Sequence, residues 1–322
     1  MNFINILNHI LRPLEWVVAQ LLTLFHHALV TFGMTAGPSP AWGITIMCLV
    51  LVIRICLLPL FLSQMRAMQR IQVLQPQIQR IQHKYAARKD PRSKEAMQRE
   101  IMALQQRYNA NPLGSCLPSL IQAPILCSLF YTLQSLPAIA DGNAEPLGGI
   151  DHTMAGDIES SSIFGVRIAD SFGTVASPQS RIIIGVAVAL MCLTLFAIQW
   201  MLIHRNTSKD AMVSPQFRVQ KMTVFVFPAI YVVSGATLPF GVLLYWLTNN
   251  LWNLGQTLCQ LRWFPTPGSA AGERKARRDY EQDNRRRAAA GLPSLEEERA
   301  MAAREEAKAR REREKSAASR NR

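Results

Sequence analysis

Long uncharged apolar runs alternate along this chain with segments rich in Lys and Arg. Five runs, at 42–62, 116–136, 182–203, 222–238 and 241–261, are each near the length a tilted helix needs to cross a bilayer. The fourth is short, and Pro239 and Gly241 after it predict a tight turn outside the hydrocarbon. A sixth apolar stretch, 14–32, is interrupted by Glu15, Gln20, His26 and His27. It is long enough to span, but its polar positions favour an amphipathic helix lying in the interface. Arg12 is the only cation before it, so it lacks the basic leader of a signal peptide.

Between the first two runs the period changes. Apolar residues recur at helical spacing from Met65 through Ile71, Leu74 and Ile78 to Tyr85, and again at Met97, Ile101, Leu104 and Tyr108. Asp90-Pro91 stands between the two sets, where a helix should break. The spacing predicts a helical hairpin over 64–110 whose narrow apolar stripe packs on itself and leaves part of its length for docking. The fold class expected is therefore an all-α integral membrane protein. It has five transmembrane helices, an N-terminal interfacial helix in 1–38, a core over 39–263 that includes the hairpin, and a tail over 264–322.

Charge orients this scheme. The chain has 322 residues, is 49% hydrophobic and carries a formal charge of +13. The first connection holds ten Lys and Arg, the next only Arg167 and Arg181, the third Arg205, Lys209, Arg218 and Lys221, and the fourth none. The tail is densely basic. By the positive-inside rule the hairpin, the third connection and the C-terminus face the cytoplasm, and five spans then put the N-terminal segment outside. From Gly268 onward the composition is Ala, Arg and Glu with almost no large apolar residue. Such a tail is disordered or a solvated helix, either simply solvated or in contact with anionic lipid or ribosomal RNA. The six cysteines, Cys48, Cys56, Cys116, Cys127, Cys192 and Cys259, lie in or beside apolar runs without a CxxC pair, and read as small buried side chains.

Arg54 changes the picture most. It lies inside the first run, and no span contains an Asp or Glu to pair with it. A charge at mid-membrane costs about 2.5–3.5 kcal/mol on insertion scales. With a helix to residue 62, Arg54 would lie about 12 Å from the cytoplasmic end at roughly 1.5 Å per residue, too far for easy snorkelling. Other spans offer matching polarity. Gln122 and Gln199 sit toward the cytoplasmic ends of the second and third, and Tyr245, Asn249, Asn253, Gln256 and Gln260 follow one face of the fifth. Hydrogen bonding between helices explains each amide singly, but not their confinement to one side. The expected site is a hydrated groove, open to the cytoplasm and closed outside, that attracts acidic or hydrophilic client segments. It needs no catalytic residue, cofactor or metal.

Other function classes fit less well. A small-solute or ion transporter is the alternative, but it would call for an intramembrane acid or internal repeats. An intramembrane enzyme would call for a motif such as HExxH or GxSxG, which is missing, and all six His lie outside the five spans. A plain anchor would need neither Arg54 nor the polar stripe.

The segments QPQIQRIQHKY and NPLGSCLPSLIQAPILCSLFYTL, within 75–133, together with Arg54 and LPFGVLLYWLTNNLWNLGQ at 238–256, resemble the YidC membrane-insertase family, which has mitochondrial and chloroplast relatives. The resemblance covers roughly 14–263. It implies a five-helix core in a bacterial plasma membrane, a cytoplasmic hairpin, and Arg54 as the cation of the groove. It also matches Gln122 to the LIQ-P motif, and Tyr245, Trp246, Asn250 and Gln256 to the final-helix motif. The implied partners are nascent membrane-protein clients and the Sec translocon, with the ribosome and anionic lipids reached through the tail. The form is compact, without a large periplasmic domain or a lipobox cysteine.

Overall fold

The computed structural model of the protein describes residues 3–88, 90–110 and 117–320. The start of the predicted second span, with Cys116, lies outside the described residues. Eleven α-helices form among those described. In chain order they are α1 (Phe3–Thr31), α2 (Ala41–Cys56), α3 (Leu58–Tyr85), α4 (Pro91–Arg107), α5 (Leu117–Ala140), α6 (His152–Ser160), α7 (Pro178–Arg205), α8 (Pro215–Thr237), α9 (Phe240–Trp263), α10 (Ala270–Ala289) and α11 (Leu295–Arg320). A two-residue hairpin, β1 (Ser162–Ile163) and β2 (Val166–Arg167), sits between α6 and α7. The all-α membrane architecture expected from the sequence is the one observed.

The predicted first span, 42–62, is not one helix. α2 stops at Cys56, and α3 sets off from Leu58 at 54° to it. Pro59 is the cause: it has no N–H to donate, and its ring crowds the carbonyl four residues back. The hairpin accordingly begins at residue 58 rather than 64. α4 starts where Asp90-Pro91 predicted, with the Asp90 carboxylate accepting the Ser93 N–H at 2.8 Å. That bond holds the Asp90 carboxyl below the usual range. Leu74, Ile78 and Ala110 bury against Ile71, Ile101 and Leu104, and Lys84 bridges to Glu100 at 2.9 Å. Amides of α3 also hold neighbouring backbone. Gln69 donates to the Phe264 carbonyl at 2.5 Å, and Gln79 to that of Asp210 at 2.7 Å.

α9 is the central post of the bundle. Val242 and Tyr245 enter a core formed with α1, α2, α5 and α6. Phe240, Leu243 and Leu244 enter a second core formed with α7 and the β-hairpin. By length and composition the helices able to cross a bilayer are 11–31, 122–140, 178–205 and 217–237, with the bent α2–α3 pair as a fifth. α9 falls below that threshold because of its Asn and Gln, yet its neighbours are largely protein rather than lipid. Polar residues are tolerated there for that reason. α8 is the opposite case: Phe225, Val232 and Val233 along it are exposed.

α1 passes the composition test for a span. Gly148 and Gly149, in the loop after α5, abut Trp16, Ala19, Gln20 and Thr23. His26 stacks on Trp42, the second residue of α2, with ring centroids 3.7 Å apart. These partners lie at the start of α2 and beyond the end of α5.

That same end is closed by the connection 141–177. Phe164 (φ 55°) and Gly165 (φ 81°) form the two-residue turn of its β-hairpin. Ile150, Ile158 and Ile168 bury in the first core, and Ile163, Val166 and Val175 in the second. The first N–H groups of α9, from Phe240 and Gly241, donate to the carbonyls of Asp170 and Ile168 at 2.7 and 2.9 Å. At the opposite end the tail is helical. α10 caps on Ser269, pairs Glu273 with Lys209 at 3.0 Å and donates from Arg278 to the Arg262 carbonyl at 3.0 Å. Of the two alternatives for the tail, the solvated helix is the one seen.

Candidate functional site

The polar cluster is built around about three turns of α9. Leu244 to Leu254 carries Tyr245, Trp246, Asn249, Asn250 and Asn253 at successive helical positions, so three neighbouring helices can each meet a different member. From α2, Arg54 donates through Nε to Asn249 Oδ1 at 2.8 Å, and its Nη2 donates to the same oxygen. From α5, Gln122 Nε2 donates to the Tyr245 hydroxyl. From α8, Tyr231 donates to Asn250 Oδ1 at 3.5 Å, and its ring stacks on Trp246 with centroids 5.0 Å apart. α5 and α8 are thus tied to two sides of α9, with Asn249 and Asn253 on the surface between. The hydroxyls of Tyr231 and Tyr245 are within electrostatic reach of the guanidinium.

Arg54 is half-buried, and among the described residues no carboxylate pairs with it. Its position corrects the depth inferred from a straight span to residue 62. It lies in the last turn of α2, two residues before the helix ends. There it faces the partial negative charge of the α2 C-terminus, which favours a cation. The path to the hairpin end is correspondingly shorter than about 12 Å, because α3 leaves at an angle. Among the described residues its hydrogen-bond partner is a neutral amide, and no carboxylate there compensates its charge.

Two walls of this cluster carry polar atoms that the protein leaves unpaired. Gln122 Oε1 and Asn250 Nδ2 are buried and, among the described residues, without a partner. A buried unpaired donor or acceptor costs about 1–3 kcal/mol.

The structure does not gather every residue the sequence suggested. Arg54 meets Asn249 and Gln122 meets Tyr245, while Trp246 and Asn250 both meet Tyr231, and Asn253 follows one turn below Asn249. Gln199 is half-buried on α7 and bonds to none of them. Gln256 lines a separate, mainly apolar cleft between α9 and the α2–α3 bend. The stripe continues along α9, but below Asn253 the bend changes what it faces. Tyr231 was missed. Its signal was a single tyrosine among the apolar residues of the fourth run, three residues after Pro228.

Among the described residues, no three His, Cys, Asp or Glu side chains cluster as a metal would need, and the five cysteines described are unpaired.

Comparison with known proteins bears on this geometry. Residues 34–266 match the family model described as 60Kd inner membrane protein. A Bifidobacterium longum protein named membrane protein insertase YidC is 44% identical over 308 residues, covering 95% of this chain and 91% of that protein. A Streptomyces avermitilis protein of the same name is 34% identical over 276 residues, 83% of this chain and 61% of its own length. One from Tropheryma whipplei is 30% identical over 284 residues, 85% and 90% of the two chains.

Proposed function

The chain belongs to the 60Kd inner membrane protein family, that of the YidC insertases, and from that premise we propose how this insertase works. It is a multi-pass protein of the bacterial inner membrane that inserts client membrane proteins. The proposed working surface is the cluster around Arg54, a hydrated groove open to the cytoplasm and, between α5 and α8, to lipid. One observation carries this reading: a cation held by a neutral amide, with unpaired polar atoms on the flanking walls.

The physics is simple. A client's hydrophilic segment enters the groove instead of bare hydrocarbon and crosses a shorter apolar path. An acidic segment gains the attraction of Arg54 while it is partly desolvated, where charges interact more strongly than in bulk water. The apolar end formed by α1 and the 141–177 connection prevents a continuous aqueous pore. No covalent step or nucleotide is required. The N-terminal segment lies outside, and the α3–α4 hairpin and tail lie in the cytoplasm. The protein acts alone on small clients and beside the Sec translocon on others. α10 and α11 supply basic helical surface for ribosomes and anionic lipid.

The test is insertion into vesicles that hold only this protein, read by protease protection of client segments differing only in acidic residues. Arg54→Ala should weaken insertion of acidic clients, and Arg54→Lys should retain part of it because the charge remains without the planar fork of donors. Equal insertion of every client by Arg54→Ala and the parent, at matched membrane levels, refutes the cationic groove.

A further inference from the structure

Beside the Arg54 cluster, on an adjoining face of α9, lies a cleft of about 580 Å³, bounded by α2, the start of α3 and α9. Its size falls within the roughly 300–1,000 Å³ usual for small-molecule sites. Met47, Leu51, Leu58 and Phe61 form one wall, and Leu251 and Gly255 belong to the other. The 54° bend between α2 and α3 creates it, because α3 leaves α9 just where a straight helix would have packed along it. The cleft follows α9 from Thr248 to Phe264, about 24 Å at roughly 1.5 Å per residue. One leaflet of hydrocarbon is about 15 Å deep, half of a bilayer core. The cleft therefore reaches from near mid-membrane to the headgroup level. Trp263 and Phe264, both exposed, mark that level, as aromatic residues do at membrane interfaces.

At this level the chemistry changes from apolar to cationic. Phe264 is shared with an adjoining depression, which in turn shares Gln69 and Pro267 with a third that contains Arg66 and Arg70. Arg66 is exposed and, among the described residues, has no bonded partner. Arg70 uses one guanidinium N–H on the Asn109 carbonyl, 3.1 Å away, and keeps the others. The acids of the middle depression are already paired, Glu273 with Lys209 and Asp279 with Lys275. Gln260 lines the cleft one turn before Phe264, and its side-chain amide makes no bond among the described residues.

We propose that this cleft is a binding site for one anionic phospholipid. An acyl chain lies along Leu51, Leu58 and Gly255, Gln260 donates to an ester carbonyl, and Arg66 and Arg70 hold the phosphate. The order of groups along the cleft matches the order along a phospholipid: tail, ester, phosphodiester. Such a lipid would wedge the α2–α3 bend beside the Arg54–Asn249 bond. The site is separate from the proposed client groove and stands or falls independently of it.

The test uses the full chain in phosphatidylcholine vesicles containing a small fraction of a photoreactive lipid with a diazirine in its acyl chain. The probe is either phosphatidylglycerol or phosphatidylcholine with the same chain. Crosslinked peptides are read by mass spectrometry. Phosphatidylglycerol should label α3 and α9 residues of the cleft in excess over phosphatidylcholine. Arg66→Gln should cut that excess about fivefold, the factor that one cation near an anionic surface supplies. Gly255→Leu should abolish cleft labelling by either lipid, and it should fold, because a side chain there enters open space. Equal labelling by the two lipids, unchanged by Arg66→Gln, would reduce the cleft to ordinary bilayer contact and overturn the proposal. So would occupation by a second copy, seen as crosslinking of two chains through Cys259 by a short bis-maleimide.

Discussion

Replacing Asn249 by Asp changes one amide to a carboxylate and almost nothing in shape. The new charge would stand where Asn249 Oδ1 now accepts from Arg54 Nε at 2.8 Å. Coulomb's law at a charge separation of about 4 Å gives about 4 kcal/mol at an effective dielectric of 20, and about 1 kcal/mol in bulk water. A client carboxylate drawn to Arg54 would lose most of that attraction, since the cation would already be neutralised. At about 1.4 kcal/mol per factor of ten, insertion of acidic clients should fall between about fivefold and a thousandfold. Clients with neutral segments should change far less. Thermal unfolding should hold or rise, because an amide partner has become an ion-pair partner. The assay is protease protection in vesicles, with acidic and neutral versions of one client and matched variant levels. Undiminished insertion of the acidic client would refute a role for the charge. An equal loss for both clients, with lower thermal stability, would show that Arg54 is a packing residue instead.

Three more expectations follow from the fold. A Cβ at Gly235 would stand 2.4 Å from Val188 Cγ2, so Gly235→Leu should separate α7 from α8 and cost roughly 1–3 kcal/mol. Gly185→Leu, on the open side of α7, should leave thermal unfolding nearly unchanged and serves as its control. Removing everything after Gly268 should preserve the fold, since α10 adds only exposed polar contacts and one buried alanine; ribosome binding should weaken, as salt should weaken it for the intact chain. In a variant without native cysteines, Asn143→Cys should react with an impermeant reagent from outside and Arg88→Cys only from inside, and outside labelling at position 88 would invert the topology.

The helices were legible in the sequence because a bilayer imposes a length and a composition together. The predicted ends of the third and fifth spans fall within four residues of α7 and α9. The hairpin was legible from its apolar spacing and from Asp90-Pro91. The bend at Leu57 was not, although Pro59 was in view, because proline near a helix end can stop, start or merely kink it. The closed end was also hidden. Its residues, from Ile150 to Val175, are spread over short segments whose burial depends on α1, α7 and α9 packing around them. No local period marks such a cap.

The site was legible where it depends on one helix and obscure where it depends on several. Tyr245, Asn249 and Asn253 share a face of α9 by arithmetic alone, and a lone arginine without acids announces a polar environment. Which of these residues meet is decided by the neighbours. The bend after Cys56 leaves Arg54 opposite Asn249 and carries α3 away, so that Gln256, on almost the same face as Tyr245, looks into an apolar cleft. Tyr231 and Trp246 meet only because α8 folds back through Leu238 and Pro239. The same bend thus has two consequences. It brings the cation to the end of α2, where the helix terminus lowers the cost of holding it, and it opens the cleft beside it along α9.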